Sequence, residues 1–283
     1  MLTKEFYLLT ESSVICSYLV SKWIDNLAEL PNFRGFLLKE DMPSENLIQK
    51  RKLFHGEYAG KKLLTDEDYQ KLICLYPALD ETEKAMISLF GVSQYSTTEY
   101  AKTFFLGNDV NQEYAKNFLK ENSKVSPPYI FACLTQILQP WWLEITNSQL
   151  FNVHSAVLPY ARGMYSIENI AILRDINKFK KVVGFTIHYI DKGVDLGPII
   201  RAERIIDPFR FNSIWELKGY IYIIEFDAYV KTAKEIISNN QTMPVGVIQN
   251  PSLRGPNFRI KNFAYDKLRQ AEEGYLAMKN AFN

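Results

Sequence analysis

Between the proline pair Pro127-Pro128 and the next polar residue runs YIFACL, Tyr129 to Leu134, six apolar residues without a break. Strict alternation would mark a strand with one wet face, whereas a short continuous apolar run reads as a strand buried on both faces. Such strands belong in sheets covered by helices on both sides. The rest of the chain fits that frame. KEFYLL (Lys4 to Leu9) reads as a strand, TESS as a polar turn, and CSYLVSKWIDNLAEL as a helix with apolar residues at helical intervals. After Pro31, FRGFLL (Phe33 to Leu38) reads as a second strand and completes a βαβ unit. KTFFLG (Lys102 to Gly107), a helix through NQEYAKNFLKENS and the strand QLFNV (Gln149 to Val153) continue the rhythm. The expected fold class is α/β with a mainly parallel sheet. Residues 41–98 interrupt it as a polar helical insert, with helix starts at Ser44 and at TDED (Thr65 to Asp68), where a capping residue precedes acidic ones.

Composition narrows the function classes. With 47% hydrophobic and 14% aromatic residues in 283, the chain buries a sizeable core, and disorder as the dominant state is excluded. Lys plus Arg (33) nearly cancels Asp plus Glu (32), so nothing global attracts a polyanion, and no nucleic-acid partner is expected. Cys16, Cys74 and Cys133 are odd in number, widely spaced and set in apolar surroundings; they read as reduced core residues, which favours the cytoplasm. MLTKEFYLLTESS lacks the uninterrupted apolar stretch of a signal peptide, and no run approaches a membrane span, so no membrane partner is expected.

The chain has three histidines, and one lies in FNVHSAVLPYARG, residues 151–163. Asn152 and His154 fall at the end of a strand, where alternation turns i and i+2 to the same side. In open α/β sheets the carboxyl end of the strands is where ligands bind. Downstream, VVGFTIHYIDKGVDLGPII (Val182 to Ile200) carries Thr186 and His188 on a β-branched strand, then Asp191, Gly193, Asp195 and Gly197 in one short loop. Asn, His and Asp on neighbouring loops are the raw material for acid/base chemistry beside a polarising amide. Each also has a plainer reading: Asp195 as a turn residue, Asn152 as a bond to loop backbone, His188 as an orienting or packing residue. His55, in KLFHGEY, reads as surface or local packing. No two histidines or cysteines have ligand spacing, so no metal is expected, and no GxGxxG or GxxxxGK[ST] follows a strand.

Taken in order, Asn152-Val153-His154-Ser155, Leu158-Pro159, Arg162-Gly163, Gly184-Phe185-Thr186-Ile187-His188, Asp191, Gly193 and Asp195-Leu196-Gly197-Pro198-Ile199 resemble the 10-formyltetrahydrofolate-dependent formyltransferases. Gln136-Ile137-Leu138 before Pro140 is similar to that family's segment lining the pterin pocket. The resemblance covers residues 128–205, extends as a Rossmann-type core over 1–40 and 100–128, and is absent over the insert and the tail. It implies a Rossmann-like formyltransferase core over 1–205 and a mainly helical C-terminal α/β extension over 206–283. It also implies catalysis by Asn152, His154 and Asp195: the Asn152 amide donating to the formyl oxygen, His154 in its cationic form adding charge or moving protons, and Asp195 orienting the imidazole. The co-substrate implied is 10-formyltetrahydrofolate, held by Gln136, Ile137, Leu138, Asp191, Gly193, Val194 and Gly197. Ser155, Arg162, Gly163 and His188 fall on the acceptor side. Ser155 stands where the family often has Pro, Met164-Tyr165-Ser166 departs after Arg162-Gly163, and the two motif blocks are spaced apart around INKFKK.

The 88 residues after Asp195 read as one strand, a long helix (Ser213 to Asn239), an extended piece around PVGVIQ and a closing helix over Tyr265 to Phe282. That is too little for the further β-barrel domain of a methionyl-tRNA formyltransferase, and Ser155 with the insert departs from glycinamide ribonucleotide formyltransferase. The expected acceptor is therefore the primary amine of a small molecule, an amino-sugar nucleotide first, with FRFNSIW and PNFRIKNF available to stack a base. An amino acid or ribonucleotide amine, hydrolysis of 10-formyltetrahydrofolate, and a folate-binding non-enzyme stay open. The insert is a candidate acceptor-pocket wall or homodimer surface.

Overall fold

The computed structural model describes residues 4–76, 79–238, 243–259, 263 and 265–282. They form two compact units, Met1–Phe151 with Phe226–Met243, and Asn152–Glu225 with Pro244–Asn283. The fold class is α/β with a mainly parallel sheet. Among the described residues no helix is long and apolar enough to cross a membrane.

In the first unit β1 (Phe6–Glu11), α1 (Val14–Leu27) and β2 (Phe33–Lys39) form the opening βαβ unit, with β1 and β2 parallel. Helix α1 starts where Ser13 Oγ accepts the Cys16 N–H, satisfying one of the donors that every helix leaves open at its start. Three helices follow in the 41–98 stretch: α2 (Glu45–Tyr58), α3 (Asp66–Leu75) and α4 (Glu81–Phe90). Ser44 caps α2, and reciprocal capping boxes start the others, Thr65 with Asp68 and Asp80 with Glu83. Then come β3 (Thr103–Phe105), α5 (Glu113–Asn122), β4 (Tyr129–Ala132) and α6 (Pro140–Ile145). The strand order is β3-β2-β1-β4-β5, the last being Leu150–His154, and every residue of β4 is buried. Phe6, Trp23, Phe33, Phe131 and Tyr229 interlock by ring contacts of 5.2–6.4 Å between centroids. Tyr229 Oη donates to the carbonyls of Ala132 and Phe151, both at 3.0 Å.

In the second unit the order is β5-β7-β8, where β7 is Gly184–Tyr189 and β8 is Ile199–Arg204, and β7 pairs with β8 antiparallel. β6 (Arg162–Gly163) pairs with β9 (Asn257–Phe258), while α7 (Ser166–Ile172) and α8 (Ile176–Val182) fill the chain between β6 and β7. α9 (Ile214–Ser238) begins in this unit, and α10 (Tyr265–Phe282) closes it against α7. Phe179, Phe209 and Tyr275 centre its core.

Several local expectations are corrected. β5 runs through His154 instead of stopping at Val153, and α6, α7 and α8 occupy stretches to which the sequence reading assigned no element. These helices are six or seven residues long, too short to display a periodicity. Cys74 is exposed rather than in the core. His55 is buried, with Nδ1 2.9 Å from the Ser93 carbonyl and Nε2 2.9 Å from Tyr76 Oη, so its partners come from loops distant in sequence. Asn239, read as the end of the long helix, and residues 260–262 of PNFRIKNF lie outside the described residues.

Candidate active site

The last residues of β5 place Asn152 and His154 on one side, with the buried Val153 between them on the other. Asn152 Nδ2 lies 3.2 Å from Nε2 of His188, which extends from β7. The loop after β7 returns Asp195 to the same place: its Oδ2 is 3.8 Å from His154 Nδ1, and its Oδ1 is 3.5 Å from His188 Nε2. Two imidazoles, one carboxylate and one carboxamide therefore meet within the second unit. The His154 and Asp195 side chains are only 11% and 12% exposed.

The protons can be placed from the partners. A carbonyl only accepts, so His154 Nε2, 3.3 Å from the Ala161 carbonyl, carries the hydrogen in the neutral ring and leaves the Nδ1 lone pair facing Asp195. His188 Nδ1, 2.8 Å from the Tyr189 carbonyl, is likewise the N–H donor, and Nε2 is left to accept from Asn152. Burial lowers the His154 imidazole below its ordinary value; Asp195 opposes that pull and His188 adds to it. The neutral ring is therefore favoured near pH 7, and the cation arises on proton uptake beside Asp195. Burial also opposes the charge of Asp195, but the neighbouring His154 and His188 imidazoles and the Gly163 N–H together hold the carboxyl well below the usual carboxylate range.

Asp195 is built into a constrained loop. Its φ of 52° is left-handed, a conformation asparagine and aspartate tolerate better than other residues with a Cβ. Gly163 N–H donates to its Oδ2 at 2.7 Å. That amide is available because Gly163 has φ +81° and lies so close to Phe258 that a Cβ would come within 1.9 Å of its carbonyl oxygen. Gly197 is pressed similarly against the Tyr189 carbonyl, and Gly193 N–H closes a turn on Asp191 Oδ1 at 2.9 Å. Val194 accepts through its carbonyl from Arg162 Nη1 at 3.4 Å, and Arg162 Nη2 reaches the Gly255 carbonyl at 3.5 Å.

Ser155 Oγ donates to Glu225 Oε1 at 2.9 Å. Burial pushes the Glu225 carboxyl well above its ordinary range, against the Ser155 hydroxyl and Lys218, and Ser155 adjoins His154 in the chain. Lys218 pairs with the buried Glu168. In the first unit Gln136 bonds Asp109 and, through Oε1, the Val110 N–H at 3.3 Å. The Ile137 carbonyl accepts from Asn111 at 2.9 Å while its side chain is exposed; Leu138 is half-buried. Gln249, Glu225 and the Ala161 carbonyl complete the surroundings of the second-unit site, and no sequence signal singled them out.

The formyl transferase family matches residues 81–207. The match begins at the start of α4, inside the stretch read as an insert. The phosphoribosylglycinamide formyltransferase of Bacillus subtilis is 28% identical over 98 residues, which are 35% of this chain and 47% of that protein. The methionyl-tRNA formyltransferase of Kosmotoga olearia is 32% identical over 108 residues, 38% of this chain and 32% of that protein. The chain thus spans less than half the length of these relatives. A 4-N formyltransferase from Francisella tularensis has a similar fold, with TM-score 0.54, 14% identity, and coverage of 98% of this chain and 88% of that one. So does the N-formyltransferase from Helicobacter canadensis, solved with folinic acid and dTDP-3-aminofucose, at TM-score 0.52, 14% identity, and coverage of 95% and 80%.

Proposed function

We propose that this chain, whose residues 81–207 match the formyl transferase family, moves the formyl group of 10-formyltetrahydrofolate to the primary amine of a small molecule, an amino-sugar nucleotide. The observation that carries the reading is His154 Nδ1 standing 3.8 Å from the Asp195 carboxylate beside the Asn152 amide.

Each group has a task. The Asn152 amide has two N–H donors, one engaged with His188, and the other is available to the formyl oxygen as it gains negative charge. His154 Nδ1 accepts the proton that the amine loses as its nitrogen bonds the formyl carbon. The ring then returns a proton to the folate nitrogen as the old carbon–nitrogen bond breaks, so the enzyme ends each turnover unchanged. Asp195 stabilises the imidazolium in between and is held ionised for that task by its neighbours. The loop from Asp191 to Gly197 is the proposed folate contact in this unit, its backbone fixed by the Asp191 turn and the close approach of Gly197 to Tyr189.

The amino-sugar acceptor is supported by solved proteins of similar fold, among them the Helicobacter canadensis enzyme with its dTDP-linked amino sugar. Release of tetrahydrofolate from 10-formyltetrahydrofolate, followed spectroscopically against amino-sugar nucleotides, glycinamide ribonucleotide, amino acids and a no-amine control, tests it. Turnover only with an amino-sugar nucleotide is the expected result. Turnover with another amine would replace the acceptor, and turnover in the control would make the protein a hydrolase.

A further inference from the structure

The loop that carries Asp195 is held by side chains remote in sequence. Arg162 takes the Val194 carbonyl, and Gln249 Nε2 donates to the carbonyls of Asp195 at 2.9 Å and Gly197 at 2.8 Å. Gln249 is 2% exposed. Its orientation follows from its partners, since only the NH₂ end can meet two carbonyl oxygens. The segment leading to it is tied to both ends of the same loop. Val247 and Ile199 exchange backbone hydrogen bonds of 2.7 and 2.8 Å, and Tyr189 Oη donates to the Pro244 carbonyl at 2.6 Å.

This bracing matters because Asp195 is left-handed at φ 52°. A residue with a Cβ stays in that region only when its surroundings over-determine it. Rotation of the peptide planes about residues 195–197 would swing these carbonyls away and turn the carboxylate off His154 with them. Two N–H bonds from one buried carboxamide oppose that rotation. We propose that Gln249 is a positioning residue for the reaction, a clamp on the Asp195 and Gly197 carbonyls that keeps the Asp195 carboxylate facing His154. The proposal rests on the formyl-transfer reading of Asn152, His154 and Asp195.

Gln249→Met keeps the length of the side chain and removes both donors. The groups facing His154 are Asp195 and His188, and of these Asp195 supports its protonated form. With three histidines in the chain, each ring C–H signal can be followed by NMR titration. In folded Q249M the His154 midpoint is expected to fall by about one pH unit as the carboxylate turns away. The His55 midpoint, in the other unit, stays where it is. At the same time kcat falls about ten- to a hundredfold while KM for both substrates changes little, the signature of misplaced groups rather than lost binding. A folded Q249M with an unshifted His154 midpoint overturns the clamp. If no amine and no control gives turnover with the parent protein while the midpoint still shifts, the clamp stands and the formyl-transfer reading fails. Should Q249M not fold, exchange of the Gln249 side-chain amide protons in the parent protein decides: both are expected to be strongly protected, and exchange as fast as in a free carboxamide refutes the clamp.

Discussion

Replacing Asp195 by Asn removes one charge from a pair whose geometry sets the size of the effect. Asp195 Oδ2 stands 3.8 Å from His154 Nδ1, and both side chains are nearly nine-tenths buried. At an effective dielectric constant of about 20, unit charges at that separation attract by about 4 kcal/mol. The resting ring is neutral, so the attraction acts mainly on the imidazolium formed as the amine loses its proton. It is therefore a difference between transition state and ground state, the kind of interaction that changes kcat. Four kcal/mol corresponds to about a thousandfold, and the expected loss in D195N is about a hundred- to a thousandfold in kcat at saturating folate and amine. Asn keeps an oxygen for the Gly163 N–H, so the loop is expected to remain closed and the variant to stay folded, checked by its melting temperature. The assay is initial-rate formation of tetrahydrofolate across pH. D195N within about tenfold of the parent kcat would refute the role of the carboxylate and leave the cluster as a structural network.

Burial brings His55 down to about 4, against a bond to Ser93 that favours its charge, so the unfolded chain, near 6.5, binds the extra proton first. The stability this gives is complete above pH 6.5 and is lost as pH falls toward 4, by about 3 kcal/mol, and His55→Gln should flatten that limb in denaturant titrations. Glu83 works the other way: burial raises its carboxyl to about 7, so its contribution is present below about 4.5 and declines as pH rises through 7, and E83Q is expected to expose the steeper His55 dependence. Gly163→Ala forces a Cβ to within 1.9 Å of the Phe258 oxygen at φ +81° and should cost activity together with several degrees of melting temperature; an unchanged kcat would show that the Gly163 amide is not needed on Asp195. Tyr229→Phe leaves the Ala132 and Phe151 carbonyls without their hydroxyl partner and should destabilise by about 1–3 kcal/mol in denaturant titration.

What the sequence displayed was whatever is written in contiguous residues. Tyr129–Ala132 is a buried strand because its residues are apolar on both faces, and Asn152 with His154 fall on one side because strand alternation is local. Thr65 with Asp68 announces a helix start because the capping box spans four residues. Contacts made across long stretches of chain left no comparable trace. His55 read as surface or local packing because Tyr76 and Ser93 reach it from 21 and 38 residues away. Gln249 in PVGVIQ is an ordinary glutamine until the chain folds it against residues 52 and 54 positions earlier. The charge state of His154 was likewise invisible, since burial is a property of the packed surroundings.

The two imidazoles beside Asp195 are not equivalent, and their backbone partners explain why His154 is the ring assigned to proton transfer. His188 is almost fully buried, with Nδ1 committed to the carbonyl of the very next residue and Nε2 lying between Asn152 and Asp195. Its Nε2 is taken up by the Asn152 amide, the group proposed to serve the formyl oxygen. His154 has Nε2 committed to the Ala161 carbonyl, while Nδ1 faces the carboxylate across 3.8 Å, longer than a hydrogen bond and close enough for strong attraction. It can take a proton without disturbing its existing hydrogen bond, and Asp195 stabilises the resulting cation. His188→Gln, which retains a group able to accept from Asn152, should therefore preserve more of kcat than His154→Gln, and the reverse order would exchange their roles.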